Sequence, residues 1–439
     1  MLPAIDASPA GLARRYQAVR ATTLQLTAPL SEADAQVQSM ANTSPAKWHL
    51  AHTSWFFETL VLERAEAHFK PHEPAYRMLF NSYYNGIGEQ HARTQRGLIT
   101  RPGLADVMAY RRAVDERVLA LLATPACALD ATTLSLLTLG LHHEQQQQEL
   151  VLTDLLHLLS CNPLQPAYRP GPAAAHSAPA GAALPLAWLP QEGGLVEIGH
   201  AGAGFSFDNE QPRHRQWLAP CALANRLVTQ GEWAAFVAYG GYRDPRWWLA
   251  AGWDWLRTQH ISAPLYWRPD RCGGGWQVFS LRGLQPLVAD QPMVQVSLYE
   301  ADAFAAWSAA QQRLPLRLPT EAEWEHAAAP LAEQGIAAGN LLDSDRLQPC
   351  ALAAPGTGLQ QLFGDVWEWT RSAYAPYPGF KPWSGAVAEY NGKFMANQFV
   401  LRGGCCATPR SHLRASYRNY FPADARWQFS GLRLACDPS

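Results

Sequence analysis

Trp48-His49-Leu50-Ala51-His52 and Gly140-Leu141-His142-His143-Glu144-Gln145-Gln146-Gln147-Gln148-Glu149 are the two stretches whose reading decides the first third of this chain. Both sit inside long amphipathic patterns with few glycines, so both read as helical. In the first, His52, Trp55, Phe56 and Thr59 fall at i, i+3, i+4 and i+7, which places the histidine and the bulky rings on one inward face. In the second, Leu136, His143, Gln147 and Leu150 form a stripe at spacings of seven, four and three. A single buried histidine is usually a satisfied core residue. Two inward histidines on separate helices, one of them in a dense polar run on an otherwise apolar helix, point to a metal site built from facing helices of a bundle.

Working outward, four helices are expected, at about 8–28, 45–70, 104–124 and 131–160. Ser44 is the expected cap of the second, with Pro45 at its first position, where a missing N–H costs nothing. Residues 166–185 have the Pro, Ala and Gly content of a linker. Beyond them come short apolar runs punctuated by Gly, Pro, Asp and Asn, with most of the 17 Trp. The expected division is therefore a bundle over 1–165, a linker over 166–185 and a second domain over 186–439.

Bulk properties exclude more than they select. The chain has 439 residues, 48% hydrophobic and 16% charged, enough for two or three cores. A net charge of −2 gives no electrostatic reason to expect nucleic acid or an anionic membrane as partner. No apolar run approaches the roughly 18 residues needed to span a bilayer, and the first residues lack a secretory pattern, so a cytoplasmic location is expected. Eight cysteines without CxxC spacing read mostly as free thiols, and the adjacent Cys405-Cys406 as a small-residue turn. There is no nucleophile elbow, phosphate loop or dinucleotide fingerprint, which leaves a metal as the best carrier of chemistry.

Taken with blocks further along, the chain resembles the EgtB-type sulfoxide synthases of ergothioneine biosynthesis and their relative, the selenoneine synthase SenA. The resemblance rests on Ser44 to His52, Leu141 to Leu150, Val228 to Trp233, Pro292 to Ser297 with Ala301 to Trp307, Arg317 to Trp324, Gly364 to Trp369, Leu401 to Gly404 and Gly431 to Leu434. Each block is weak alone; their order over nearly the whole chain is specific. It implies an α+β chain: an N-terminal DinB-like four-helix bundle, then a domain similar to formylglycine-generating enzyme, a variant of the C-type lectin fold. Physically the second-half blocks read as scaffold, with Thr320 and Glu323 forming a capping box and Trp rings fixing long loops. Cys405-Cys406 does not reproduce the spaced copper-binding pair of the formylglycine branch, and that activity is not carried over.

The resemblance also implies a reaction and a site. The reaction is non-heme iron(II), O2-dependent joining of the imidazole C2 of hercynine to a small thiol or selenol (selenosugar) donor, giving a sulfoxide or selenoxide. The family's metal pattern maps to His52, His143 and position 147, and here the third position is Gln147, a poorer donor than imidazole. His142 is rotated about 100° from His143, which disfavours its recruitment. Gln146 matches the position that holds the substrate imidazole. Asn419, Tyr420, Phe421 and Trp427 match the hercynine-binding loop, where aromatic faces suit a quaternary ammonium, and Phe421 argues against a γ-glutamylcysteine donor. Tyr83 and Tyr84 match a tyrosine pair expected to supply a proton or electron, with Tyr374 and Tyr377 as further candidates. Arg93 and Arg96 are candidates for a carboxylate or sugar hydroxyls of the donor.

Other classes stay open. DinB-type thiol transferases using zinc resemble the bundle alone and would lack the Trp-rich half. An inactive or binding-only relative is the alternative that Gln147 itself suggests.

Overall fold

A computed structural model describes residues 8–124, 129–170, 185–202, 204–270, 274–352 and 356–438. The chain forms two compact units, one of Met1–Pro163 with Pro382–Tyr390 and one of Leu164–Lys381 with Asn391–Ser439. The short segment 382–390 therefore clusters with the helices rather than with the rest of 186–439. Most of the expected linker, residues 171–184, lies outside the described residues.

Four long helices build the first unit: Pro9–Thr27, Ala46–Phe57, Leu104–Leu122 and Ala131–Ser160. The second runs on through a π turn, Glu58–Leu62, and ends at Ala65 rather than near 70. Pro71 disfavours helical backbone in the residue before it, and Glu66, already extended, gives its carboxylate to Arg117 Nε at 2.9 Å. The helix start also differs from expectation. Pro45, not Ser44, is the cap residue, its carbonyl accepting from His49 N at 3.2 Å. Ser44 instead donates its backbone N–H to Asp154 Oδ2 at 2.8 Å, which ties the helix start to the fourth helix. At Gly140 a Cβ would stand 2.5 Å from the Phe57 ring, so only glycine lets the second and fourth helices approach this closely.

The polar run of the fourth helix divides between two neighbours. Glu144, fully buried, takes Arg111, Arg20 Nη1 (3.1 Å) and the Thr23 hydroxyl (2.7 Å), while Gln148 donates to Val19 O at 2.9 Å. Burial alone would raise the Glu144 pKa, but the two guanidinium groups outweigh it and lower it to about 2. Glu144 and Gln148 thus staple the first and third helices. His143 and Gln147 turn the other way, toward the second.

The second unit is irregular and, among the described residues, has a two-stranded and a three-stranded sheet besides two four-stranded ones. Of the four-stranded pair, one orders Trp188–Gln191, Cys221–Ala224, Ala435–Cys436 and Leu316–Arg317; the other orders Asn419–Phe421, Phe399–Arg402, Trp367–Ala373 and Ser430–Gly431, with only the last pairing parallel. Helices 230–239, 298–312 and 321–328 each open on a capping box: Thr229 with Glu232, Ser297 with Glu300, Thr320 with Glu323. Trp233, Trp324, Trp367 and Trp369 are fully buried, and Arg433–Glu368 (3.0 Å) and Arg418–Glu321 (2.9 Å) pair charges inside. The α+β architecture is that expected. Cys161, Cys221, Cys350, Cys405, Cys406 and Cys436 are free thiols. Among the described residues no helix is long and apolar enough to cross a membrane.

Candidate metal centre

His52 is buried between Trp48, stacked on it at 4.5 Å between centroids, and Trp55 at 5.6 Å. Its Nδ1–H donates to the Phe80 carbonyl at 2.7 Å, which fixes the tautomer and leaves the Nε2 lone pair facing inward. His143, from the fourth helix, lies flat on Phe56 at 4.6 Å and points its own Nε2 at the same place. The two Nε2 atoms are 3.1 Å apart. Burial is the main cause that holds both rings well below the ordinary imidazole range, His143 at about 3, so both are neutral at pH 7. Two imidazoles bound at about 2.1 Å and roughly at right angles on one cation would put their nitrogens about 3 Å apart, so this spacing suits a shared ion.

Gln147 is the third group at that point, with Nε2 3.4 Å from His143 Nε2 and Oε1 2.7 Å from His49 Nδ1. Among the described residues no three His, Cys, Asp or Glu side chains converge to hold a metal. The groups that meet here are two imidazoles and the Gln147 carboxamide, which turns Nε2 toward His143 and Oε1 toward His49. His142 does not join, because its Nε2 lies 2.8 Å from Arg15 Nη2.

Around this centre the tyrosines gather. Tyr83 and Tyr84 stack at 4.6 Å with hydroxyls 3.5 Å apart, held by Asn81, whose Oδ1 accepts from Tyr84 N. Tyr84 is wholly buried against Trp55 and Phe56, and Tyr83 is half-buried beside Tyr390. Tyr390 packs edge-on to His143 at 6.0 Å and donates its hydroxyl to Gln146 Oε1 at 2.5 Å. The profile of the DinB superfamily matches residues 15–151, and that of the sulfatase-modifying factor enzyme 1-like domain matches 188–438. A hercynine oxygenase of Mycolicibacterium thermoresistibile is 31% identical over 98% of this chain and 95% of its own; that of Mycobacterium tuberculosis is 32% identical over 98% and 99%. The chain belongs to the EgtB-type family. A formylglycine-generating enzyme of Streptomyces coelicolor is 27% identical over 61% of the chain and 95% of its own.

In this EgtB-type chain the second unit carries Asn419, Tyr420, Phe421 and Trp427, with Tyr374 and Tyr377. Asn419, Tyr420 and Phe421 form an edge strand against Phe399–Leu401, and all three are partly exposed, as is Trp427. Tyr420 stacks on Tyr374 at 4.0 Å, and Phe421 meets the Trp427 edge at 5.9 Å. Tyr374 accepts from Asn209 Nδ2 at 2.8 Å and Tyr377 donates to Glu321 Oε2 at 3.4 Å, so both hydroxyls staple the fold.

Arg96 departs from expectation. It is buried, its guanidinium 3.4 Å from the centre of the Trp48 ring, with Nη1 on the Ser44 hydroxyl (2.9 Å) and Nη2 on Ser82 (3.1 Å). It backs the wall behind His52 rather than offering a free clamp. Arg93 is exposed and donates to Asn42 O. Sequence reasoning passed over two residues of this EgtB-type site. Tyr390 stands in a segment with no motif of its own, whereas His49 carried a signal, three residues before His52 in the same Trp-His-x-x-His run.

Proposed function

We propose that this chain is a non-heme iron(II), O2-dependent oxidoreductase that joins hercynine C2 to a small thiol or selenol donor, giving a sulfoxide or selenoxide. The observation that carries the reading is the 3.1 Å approach of two neutral imidazoles inside the bundle, ringed by tyrosines and Gln146. The full-length similarity to hercynine oxygenases supports the substrate.

His52, His143 and the Gln147 carboxamide would hold Fe(II), which when bound supplies the electrons for reaction with dioxygen and acidifies a thiol or selenol beside it. The chain's own groups do the rest. Because both histidines are neutral, their lone pairs are available without loss of a proton at pH 7. Tyr390 donates to Gln146 Oε1 and so orients the amide beside the centre, where Gln146 is the group proposed to hold the hercynine imidazole. Tyr83, half-buried and next to Tyr390, is placed to deliver a proton, with Tyr84 behind it. Trp48, Trp55 and Phe56 wall the centre and exclude water. Asn419 and Phe421, which share one face of their strand, with Trp427 offer an aromatic face and a polar tip to a trimethylammonium. Arg93, exposed, remains for the donor's carboxylate or hydroxyls.

A second reading, a relative that binds hercynine without turning it over, is favoured by one observation: the third donor is an amide. Loading the chain with Fe(II) without oxygen, then offering hercynine and air with cysteine or a selenosugar, separates the two. Oxygen uptake and a coupled product by mass spectrometry support the enzyme. Hercynine binding with no uptake supports the alternative.

A further inference from the structure

Glu389, half-buried on the segment Pro382–Tyr390, reaches the loop that carries the tyrosine pair. Its Oε1 accepts from Gly86 N at 2.7 Å and its Oε2 from Asn85 N at 3.1 Å. Two successive backbone N–H groups turned to one side form a cradle for an anion, and a carboxylate fills it with one oxygen on each. The loop prepares that cradle from within. Asn81, wholly buried, donates Nδ2 to the Tyr84, Gly88 and Glu89 carbonyls and accepts from Tyr84 N, so residues 81–89 curl around one side chain. At position 86 a Cβ would stand 3.3 Å from Glu389 Oε1, so a side chain there would crowd the carboxylate.

The residue that follows Glu389 faces the centre. Tyr390 closes the short turn Gly385–Glu389, meets the Tyr83 ring edge-on at 6.4 Å and donates its hydroxyl to Gln146 Oε1. We propose that Glu389 is a positioning residue: its carboxylate fastens the segment 382–390 to the tyrosine loop and so keeps the Tyr390 hydroxyl on Gln146. This rests on the reading of Gln146 as the group that holds the hercynine imidazole. Glu389 acts through Tyr390 and Gln146 rather than on a reacting atom.

Amide hydrogen exchange of the metal-free full chain reads the clasp, and hercynine kinetics of the iron-loaded chain read its effect. Glu389→Ala is expected to speed exchange in the fragment holding Asn85 and Gly86 by about 10-fold, with residues 46–57 and 131–160 unchanged. Glu389→Gln keeps the shape and one acceptor oxygen but sets an N–H against the other amide, and is expected to fall between the two. In turnover, Glu389→Ala is expected to raise KM for hercynine by about 5-fold at similar kcat. In a Tyr390→Phe background, where the hydroxyl it positions is gone, the same change is expected to cost less than about twofold. Unchanged exchange at 85–86 overturns the clasp. Faster exchange with an equal rise of KM in both backgrounds, or with none, overturns the positioning role. An unsubstituted chain that neither binds nor turns over hercynine overturns the reading of Gln146 and the positioning role with it, while the exchange result decides the clasp by itself.

Discussion

His52 Nε2 and His143 Nε2 face each other at 3.1 Å because each ring is fixed from behind, one by the Phe80 carbonyl and the other by the face of Phe56. Neither can turn away without breaking a buried contact. Replacing either by Ala is expected to lower Fe(II) affinity by more than about 100-fold, beyond what loss of an outer partner costs, and to abolish oxygen uptake. His52→Ala also leaves the Phe80 carbonyl without its donor, a destabilisation of about 1–3 kcal/mol. Metal titration and thermal unfolding measure the two effects separately.

Gln147 stands at the same point with a weaker donor. Gln147→His is expected to tighten Fe(II) binding by at least about 10-fold and to raise the initial rate of oxygen uptake with hercynine and donor. An unchanged affinity would show that position 147 does not meet the ion.

The tyrosines divide into roles that kinetics can separate. Tyr390→Phe removes the hydroxyl that orients Gln146 Oε1, so KM for hercynine is expected to rise by about 10-fold, the worth of one lost hydrogen bond. Tyr83→Phe with Tyr84→Phe, in a chain carrying Gln147→His, is expected to leave hercynine binding intact and divert turnover from coupled product to oxidised donor. Product ratios by mass spectrometry check this, and ratios that stay the same would make both tyrosines spectators.

Glu144 governs acid stability. Its folded pKa, about 2, lies below the ordinary value of 4.5 because Arg111 and Arg20 outweigh burial. The group therefore stabilises the fold above about pH 4.5 and loses that contribution as pH falls toward 2; the shift corresponds to roughly 3 kcal/mol at neutral pH. Denaturant midpoints at pH 7 and pH 3 should differ markedly in the parent chain. In Glu144→Gln, which leaves two buried guanidinium groups without their carboxylate, the pH 7 value should already be low.

Much of the site was legible in one dimension, because helical periodicity is a local property. The spacing around His52 and His143 placed both inward, and the bundle did the rest. Arg96 was misread for the same reason that made His52 readable. A guanidinium in a polar stretch looks like an exposed clamp until Trp48 closes over it, and that contact spans 48 residues of sequence. Tyr390 had no local signal at all. Its place beside Gln146 depends on a nine-residue return of the chain to the helices, across 244 positions.

The chain's own letters pointed to the four long helices, the Thr320–Glu323 capping box, the two-part architecture and the identity of the two inward imidazoles, since propensity, caps and periodicity act over a few residues. Only the tertiary structure decided which side of the polar run staples the bundle and which faces the centre, that Gln147 meets His49, and that Tyr390 meets Gln146. Those are contacts between segments far apart in sequence, and burial, which sets their hydrogen bonds and pKa values, exists only once the chain has closed.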